Sequence, residues 1–211
     1  MTDIKIKVCG MRDEANLKAL LPLKPDYVGF IFYPKSPRYV GIRFPREIPA
    51  LVTDAKKVGV FVNADFDDAR DFIIRCKLDA VQLHGNEAPG ECWLHRSLGL
   101  TVIKAFSVDE SFDFKVLEPY KDAVDYYLFD TKTPLHGGSG KKFNWDILKG
   151  YDNSKPIFLS GGIDVDDVAA IKSLKGIDIH AVDVNSRFEL SPAVKDIEKL
   201  GYFFEAMRRT V

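Results

Sequence analysis

Cys9 ends an apolar run, IKV, and Gly10 follows it at once, so its thiol stands where the backbone changes direction. A thiol acts chemically as its thiolate, and in an α/β barrel the ends of strands build the active site. A lone cysteine more often serves as a small apolar filler, so Cys9 counts through the company it keeps. Side chains alternate across a strand. On the first apolar run, Ile6 and Val8 suit a helix-facing surface while Lys5, Lys7 and Cys9 share the other. Gln82 with His84, then Lys104, Asp130 and Asp183, repeat this intrusion of polar residues into later apolar runs. Burying an unpaired charge among apolar strands costs about several kcal/mol. Such residues need each other, a ligand or solvent at a barrel mouth. A structural ion pair, such as Lys7 with a strand carboxylate, accounts for any one of them. Their recurrence is what predicts a polar site inside one end of the barrel.

Two glycine-rich stretches add to this. In SGGID, residues 160–164, paired glycines Gly161 and Gly162 separate an apolar run from a helical pattern. Backbone N–H groups there can approach an anion closely. The last strand pattern ends in Asp183, Val184, Asn185 and Ser186, a neighbouring polar loop, and barrels often hold phosphate between the loops after strands seven and eight. The second stretch, HGGSGKK at 136–142, reads as a loop over the mouth; a lid that excludes water on closing and a plain solvated connector are both open to it.

The elements that must position these groups alternate along the chain. Apolar runs at 4–9, 27–32, 57–62, 80–84, 101–106, 126–130, 157–160 and 179–184 are separated by amphipathic segments, the pattern of eight βα units. Residues 67–76 place Ala69, Phe72, Ile73 and Cys76 on one helical face, which makes Cys76 core. Asp164 precedes a helix predicted over 165–174. Pro34, Pro37, Pro45 and Pro49 crowd the segment after the second strand, predicting a long loop and a short helix over about 45–53. No linker divides the chain, so one closed domain over 1–211 is preferred to an open doubly wound sheet.

Composition sets bounds on partners. With 30 basic and 31 acidic residues and a net charge of -1, the chain lacks the charge of a dedicated nucleic-acid or membrane surface, and a small anion is the better partner. Three unpatterned cysteines and a start, MTDIKIK, without an apolar signal region predict a reducing cytoplasm. No apolar run is long enough to span a bilayer. The pattern leaves the oligomeric state open.

Seven strings, KVCG at 7–10, GFIFYPKSPR at 29–38, GVFVN at 59–63, VQLHG at 81–85, FDTKT at 129–133, GGSGKKF at 137–143 and LSGGI at 159–163, resemble, in order, the phosphoribosylanthranilate isomerases of tryptophan biosynthesis. The resemblance implies a single (β/α)8 TIM barrel acting without metal or cofactor. It also implies an Amadori rearrangement of a small phosphorylated aminosugar, N-(5-phosphoribosyl)anthranilate, to the 1-deoxyribulose 5-phosphate of carboxyphenylamine. Carried over by position, the family's general base falls on Cys9, its general acid on Asp130 and its carboxylate anchor on Arg38. Its phosphate contacts fall on Gly161, Gly162, Asn185 and Ser186, leaving Lys7, Gln82, His84 and Asp183 as further candidates for the substrate pocket.

The chain departs from the family pattern at Arg12, where threonine is frequent, at Asn144, where aspartate is usual, and at Arg187, where glycine commonly follows the polar pair. Arg187 brings positive charge to the loop in place of that glycine. Cys92, His95 and His180 match no family role and are expected to be structural. The competing expectations are another sugar-phosphate barrel, such as a pentulose phosphate epimerase or thiamine phosphate synthase, and a non-catalytic metabolite sensor. The pairing of Cys9 with Asp130 argues against a sensor, since binding alone needs neither.

Overall fold

The computed structural model describes residues 4–131 and 143–209; the glycine-rich stretch 136–142 lies outside them. Eight parallel strands, β1 (Lys5–Val8), β2 (Tyr27–Ile31), β3 (Lys56–Phe61), β4 (Ala80–Leu83), β5 (Thr101–Val108), β6 (Tyr126–Thr131), β7 (Ile157–Leu159) and β8 (Ile179–Val184), close into a barrel. Closure is direct: Lys7 of β1 stands opposite Asp183 of β8, which excludes the open sheet. Helices α1 (Glu14–Leu20), α2 (Glu47–Ala50), α3 (Phe66–Cys76), α4 (Pro89–Ser97), α5 (Val168–Ser173) and α6 (Ile197–Arg208) follow β1 to β4, β7 and β8. A short hairpin, β9 (Glu189–Ser191) and β10 (Val194–Lys195), precedes α6.

Local chemistry accounts for these elements. The Asp13, Asp65 and Asp196 carboxylates accept N–H groups at the starts of α1, α3 and α6, satisfying donors that have no partner within the helix. Asp164 does the same for a 3₁₀ turn, Val165–Asp167, that runs on into α5. α2 has only four residues, and Pro49 lies inside it. After β5 and β6 the chain forms 3₁₀ turns, Phe114–Tyr120 and Trp145–Gly150, in place of α-helices. Apolar residues at 114, 117 and 120, and at 145, 148 and 151, recur every third position. That spacing suits three residues per turn.

At the strand starts Asp26, Asp79 and Asp125, each just before an even-numbered strand, accept the backbone N–H of Ile6, Lys57 and Val102. This end of the barrel is thus built for stability, leaving the other for chemistry. The barrel interior is packed by Tyr27, Val58, Ala80, Ile103, Ala105, Leu128, Phe158 and Ala181. β7 pairs Ile157 with Ile179 but Phe158 with Ala181, so His180 is the extra residue of a bulge. Its Nε2 meets the Tyr27 hydroxyl at 2.7 Å, and burial lowers its pKa to about 4. The larger apolar layer lies between barrel and helices and includes Cys76 and Cys92.

Lys104 corrects the parity expectation. Ile103 and Ala105 face inward, which turns Lys104 outward, where its Nζ lies 3.1 Å from Glu87 and 2.8 Å from the Gly85 carbonyl oxygen. Glu87 in turn accepts the N–H groups of Asn63 and Gly85, so this buried pair ties together the loops after β3 and β4 from outside the barrel wall and does not enter its interior.

Candidate active site

Cys9 lies just past β1 and is buried, with its N–H bonded to the Val184 carbonyl oxygen at 3.0 Å. Gly10 and Met11 both donate to the Gly29 carbonyl oxygen, at 2.9 and 3.0 Å, which turns the chain sharply behind the thiol. Gly29 must be glycine for another reason: a Cβ there would lie 2.8 Å from Cys9 Sγ and 3.1 Å from its Cα. Burial pushes the Cys9 thiol up, and the Lys7 ammonium beside it pulls the other way.

Lys7, fully buried, donates to Asp183 Oδ1 at 2.9 Å and reaches across the barrel to Gln82 Oε1 at 2.8 Å. Burial works against its charge, but Asp183 and Cys9 outweigh that and hold the ammonium above its ordinary range. Gln82 Nε2 lies 2.8 Å from His84 Nδ1, and His84 Nε2 lies 3.4 Å from Asp130 Oδ2. Asp130 Oδ1 accepts the Thr131 N–H at 2.9 Å. The structure thus joins Asp183, Lys7, Gln82, His84 and Asp130 in one continuous polar string through the barrel, with Cys9 against Lys7.

A second group surrounds Gly10. Its φ is +79°, and a Cβ there would come within 2.9 Å of both Arg38 Cδ and Asn185 Oδ1, so glycine is required where these side chains converge over the turn after Cys9. Arg38 is buried, and its Nε and Nη2 engage the Glu189 carboxylate at 2.6 to 3.0 Å. Glu189 also accepts from Lys195 Nζ at 2.6 Å, and Lys195 reaches Asn185 Oδ1 at 2.7 Å. Although burial alone would raise it, Arg38 and Lys195 hold Glu189 below the usual carboxylate range. Arg12 donates to the Tyr39 carbonyl oxygen at 3.1 Å, pinning the loop that carries Arg38.

Gly161 and Gly162 have φ of +95° and +64°. A Cβ on Gly161 would lie 2.3 Å from Thr131 Oγ1, so this turn presses directly on the end of β6. Ser186 opens the 3₁₀ turn Ser186–Phe188. The loops after β7 and β8 are tied by Lys199, which pairs with Asp164 at 2.8 Å and donates to the Arg187 carbonyl oxygen at 2.8 Å. Sequence reasoning missed Glu189 and Lys195. Lys195 is buried and the Glu189 side chain is enclosed, both in the segment ELSPAVK, whose polar pattern is that of an exposed connector.

A closed eight-stranded barrel that gathers a thiol, a carboxylate, an arginine and two glycine-shaped loops at the C-terminal ends of its strands is a TIM-barrel enzyme. The family model for N-(5'phosphoribosyl)anthranilate (PRA) isomerase matches residues 6–206. The chain is 43% identical over 203 residues to the N-(5'-phosphoribosyl)anthranilate isomerase of Parabacteroides distasonis, covering 95% of this chain and 91% of that protein. Among solved structures, phosphoribosyl anthranilate isomerase from Thermotoga maritima superposes with a TM-score of 0.86 at 34% identity, covering 97% of this chain and 98% of that one. A further phosphoribosyl anthranilate isomerase, solved in complex with reduced 1-(o-carboxyphenylamino)-1-deoxyribulose 5-phosphate, has a TM-score of 0.83 at 29% identity over 97% of this chain and 98% of its own. The chain belongs to the N-(5'-phosphoribosyl)anthranilate isomerase family.

Proposed function

We propose that this single barrel converts N-(5'-phosphoribosyl)anthranilate to 1-(o-carboxyphenylamino)-1-deoxyribulose 5-phosphate, with Asp130 as general acid and Cys9 as general base. The observation that carries the reading is the buried string from Lys7, beside Cys9, to His84, beside Asp130: acid and base stand at the two ends of one network. Asp130 delivers its proton to the furanose ring oxygen, the C1′–O bond breaks, and the ring opens to a Schiff base. Cys9 as thiolate then takes the C2′ proton and gives the enolamine, which relaxes to the ketose with no net gain or loss of protons. The Lys7 ammonium stabilises the thiolate that this step needs.

Arg38 anchors the anthranilate carboxylate. Glu189 occupies the Nε and Nη2 side of the guanidinium, and the Nη1 edge offers a second fork of donors to another carboxylate. The phosphate sits against Gly161, Gly162, Asn185 and Ser186. Positive φ at both glycines and their small size let the backbone approach an anion. All three cysteines are free and buried, which suits work in a reducing cytoplasm.

The direct test is fluorescence decay of phosphoribosylanthranilate with purified protein. Loss of signal dependent on the enzyme, and absent in the Cys9→Ala variant, is the expected result. A folded wild-type protein that leaves the substrate unchanged would overturn the assignment.

A further inference from the structure

The string through the barrel settles a proton position that the reaction depends on. The Lys7 ammonium can only donate, and its Nζ lies 2.8 Å from Gln82 Oε1, so that oxygen faces Lys7 and the amide NH2 faces His84. Gln82 Nε2, 2.8 Å from His84 Nδ1, then donates to it, and Nδ1 must present a lone pair. The ring proton is left on Nε2, the nitrogen 3.4 Å from Asp130 Oδ2. Lys7 is itself held in place by Asp183 at 2.9 Å, so the Gln82 amide cannot turn over without leaving a buried ammonium facing an NH2 group. We propose that Asp183, Lys7 and Gln82 form a tautomer lock that keeps His84 as the neutral Nε2–H form, making Gln82 and His84 positioning residues for Asp130.

The consequence for catalysis rests on Asp130 being the acid. Oδ1 is tied to the Thr131 N–H at 2.9 Å, so Oδ2 is the oxygen that hands over the proton. An N–H carried by the nitrogen 3.4 Å from Oδ2 sets a fixed positive dipole end beside the carboxyl and favours the carboxylate left behind, at no cost in reorganisation during the step. An imidazolium could not do this within the string, because its Nδ1–H would meet the Gln82 amide head-on. Among the described residues, the charged groups of this string around His84 are Asp130 from β6, which it approaches directly, and Lys7 from β1 and Asp183 from β8 beyond Gln82.

The test is the nitrogen spectrum of the His84 ring in uniformly ¹⁵N-labelled protein, read through two-bond ring correlations across the neutral pH range and assigned with His84→Asn. The expected result is the Nε2–H pattern at neutral pH. An Nδ1–H pattern, or an imidazolium at neutral pH, would overturn the lock. Gln82→Glu keeps an oxygen for Lys7 but puts a carboxylate on Nδ1, so His84 should take a proton there; Gln82→Met removes the donor. Both should lower kcat by roughly 10- to 100-fold, the scale of a small misplacement of a catalytic group, and move the acid limb of the pH profile, with KM changed far less. Unchanged kcat and pH profile in both variants would overturn the proposal even with Nε2–H observed. Failure of the acid assignment has a separate signature: full turnover of Asp130→Asn while His84 still shows Nε2–H.

Discussion

Arg38 and Glu189, 151 positions apart in the chain, face each other through three hydrogen bonds of 2.6 to 3.0 Å. Two cations, Arg38 and Lys195, converge on this one carboxylate, so removing it leaves two buried positive charges with no counter-ion. Glu189→Ala should lower unfolding stability by about 3–5 kcal/mol, the cost of breaking a buried pair from one side, measured by urea denaturation. The pH dependence follows from the sign of the shift. Glu189 is held below its ordinary range, so its contribution is fully present above the unfolded carboxyl's titration, near about pH 4.3, and is lost as pH falls through the lower folded value. The variant should therefore show a shallower loss of stability across that acid window. A wild-type acid slope in the variant would mean Glu189 is not the group responsible.

Gly29 makes a sharper probe of the thiol than any change to the thiol itself. An added methyl group would overlap both Cys9 Sγ and its Cα, so rotating the side chain cannot relieve it and the backbone of β1 or β2 must shift. Gly29→Ala should cost about 1–3 kcal/mol by overpacking. If Cys9 is the base, as proposed, it should also cut turnover more than tenfold by displacing the thiol, while affinity for phosphate stays near wild type. Normal turnover in a folded Gly29→Ala protein would argue that the position of Cys9 does not matter to the rate.

How much of this was legible in the sequence depends on contrast between neighbouring residues. The barrel showed in the alternation of short apolar runs with amphipathic ones, and inner polar positions showed on β1, β4, β6 and β8, where a polar side chain interrupts an apolar run. β5 misled because both of its faces are buried; a lysine there marks a polar residue without saying which layer receives it. The 3₁₀ turns after β5 and β6 were written in apolar residues three apart, a period that eight regular βα units left no room for. Glu189 and Lys195 carried no local signal at all. Their meaning comes from Arg38 and Asn185, which only the closed barrel brings to them.

The thiol gives a pH prediction. Burial raises the Cys9 pKa, so at neutral pH the group is mostly the protonated thiol and the thiolate fraction grows as pH rises. For the C2′ proton-removal step taken alone, after Asp130 has given up its proton, the rate constant should climb by about tenfold per pH unit below that pKa. Lys7 opposes the burial effect, so removing its charge should move the rise to still higher pH. Lys7→Met alone would strand the Asp183 carboxylate; Lys7→Met with Asp183→Asn avoids this and should shift the profile alkaline. A rate constant for that step, resolved by single-turnover kinetics, that stays flat from about pH 6 to about pH 9 in the wild type would rule out a thiolate base formed in this range.

Asp130→Asn separates proton delivery from positioning. The amide oxygen can still accept the Thr131 N–H that Asp130 Oδ1 now accepts at 2.9 Å, so the residue should hold its place at the end of β6. The NH2 group then stands where Oδ2 meets His84 Nε2, two donors facing each other, and it has no acidic proton to give. Turnover should fall by at least roughly 10²–10⁴, the contribution of a general acid. Ring opening needs the proton and binding does not, so substrate affinity should change much less. Asp130→Ala distinguishes this from the new donor clash: it removes the carboxyl and leaves His84 without an opposing NH2. Equal loss in Asn and Ala variants, both folded by near-UV circular dichroism, is the result expected of an acid. A large loss in Asn with near-normal turnover in Ala would instead assign the effect to the clash with His84, and the proton donor would have to be sought at another group.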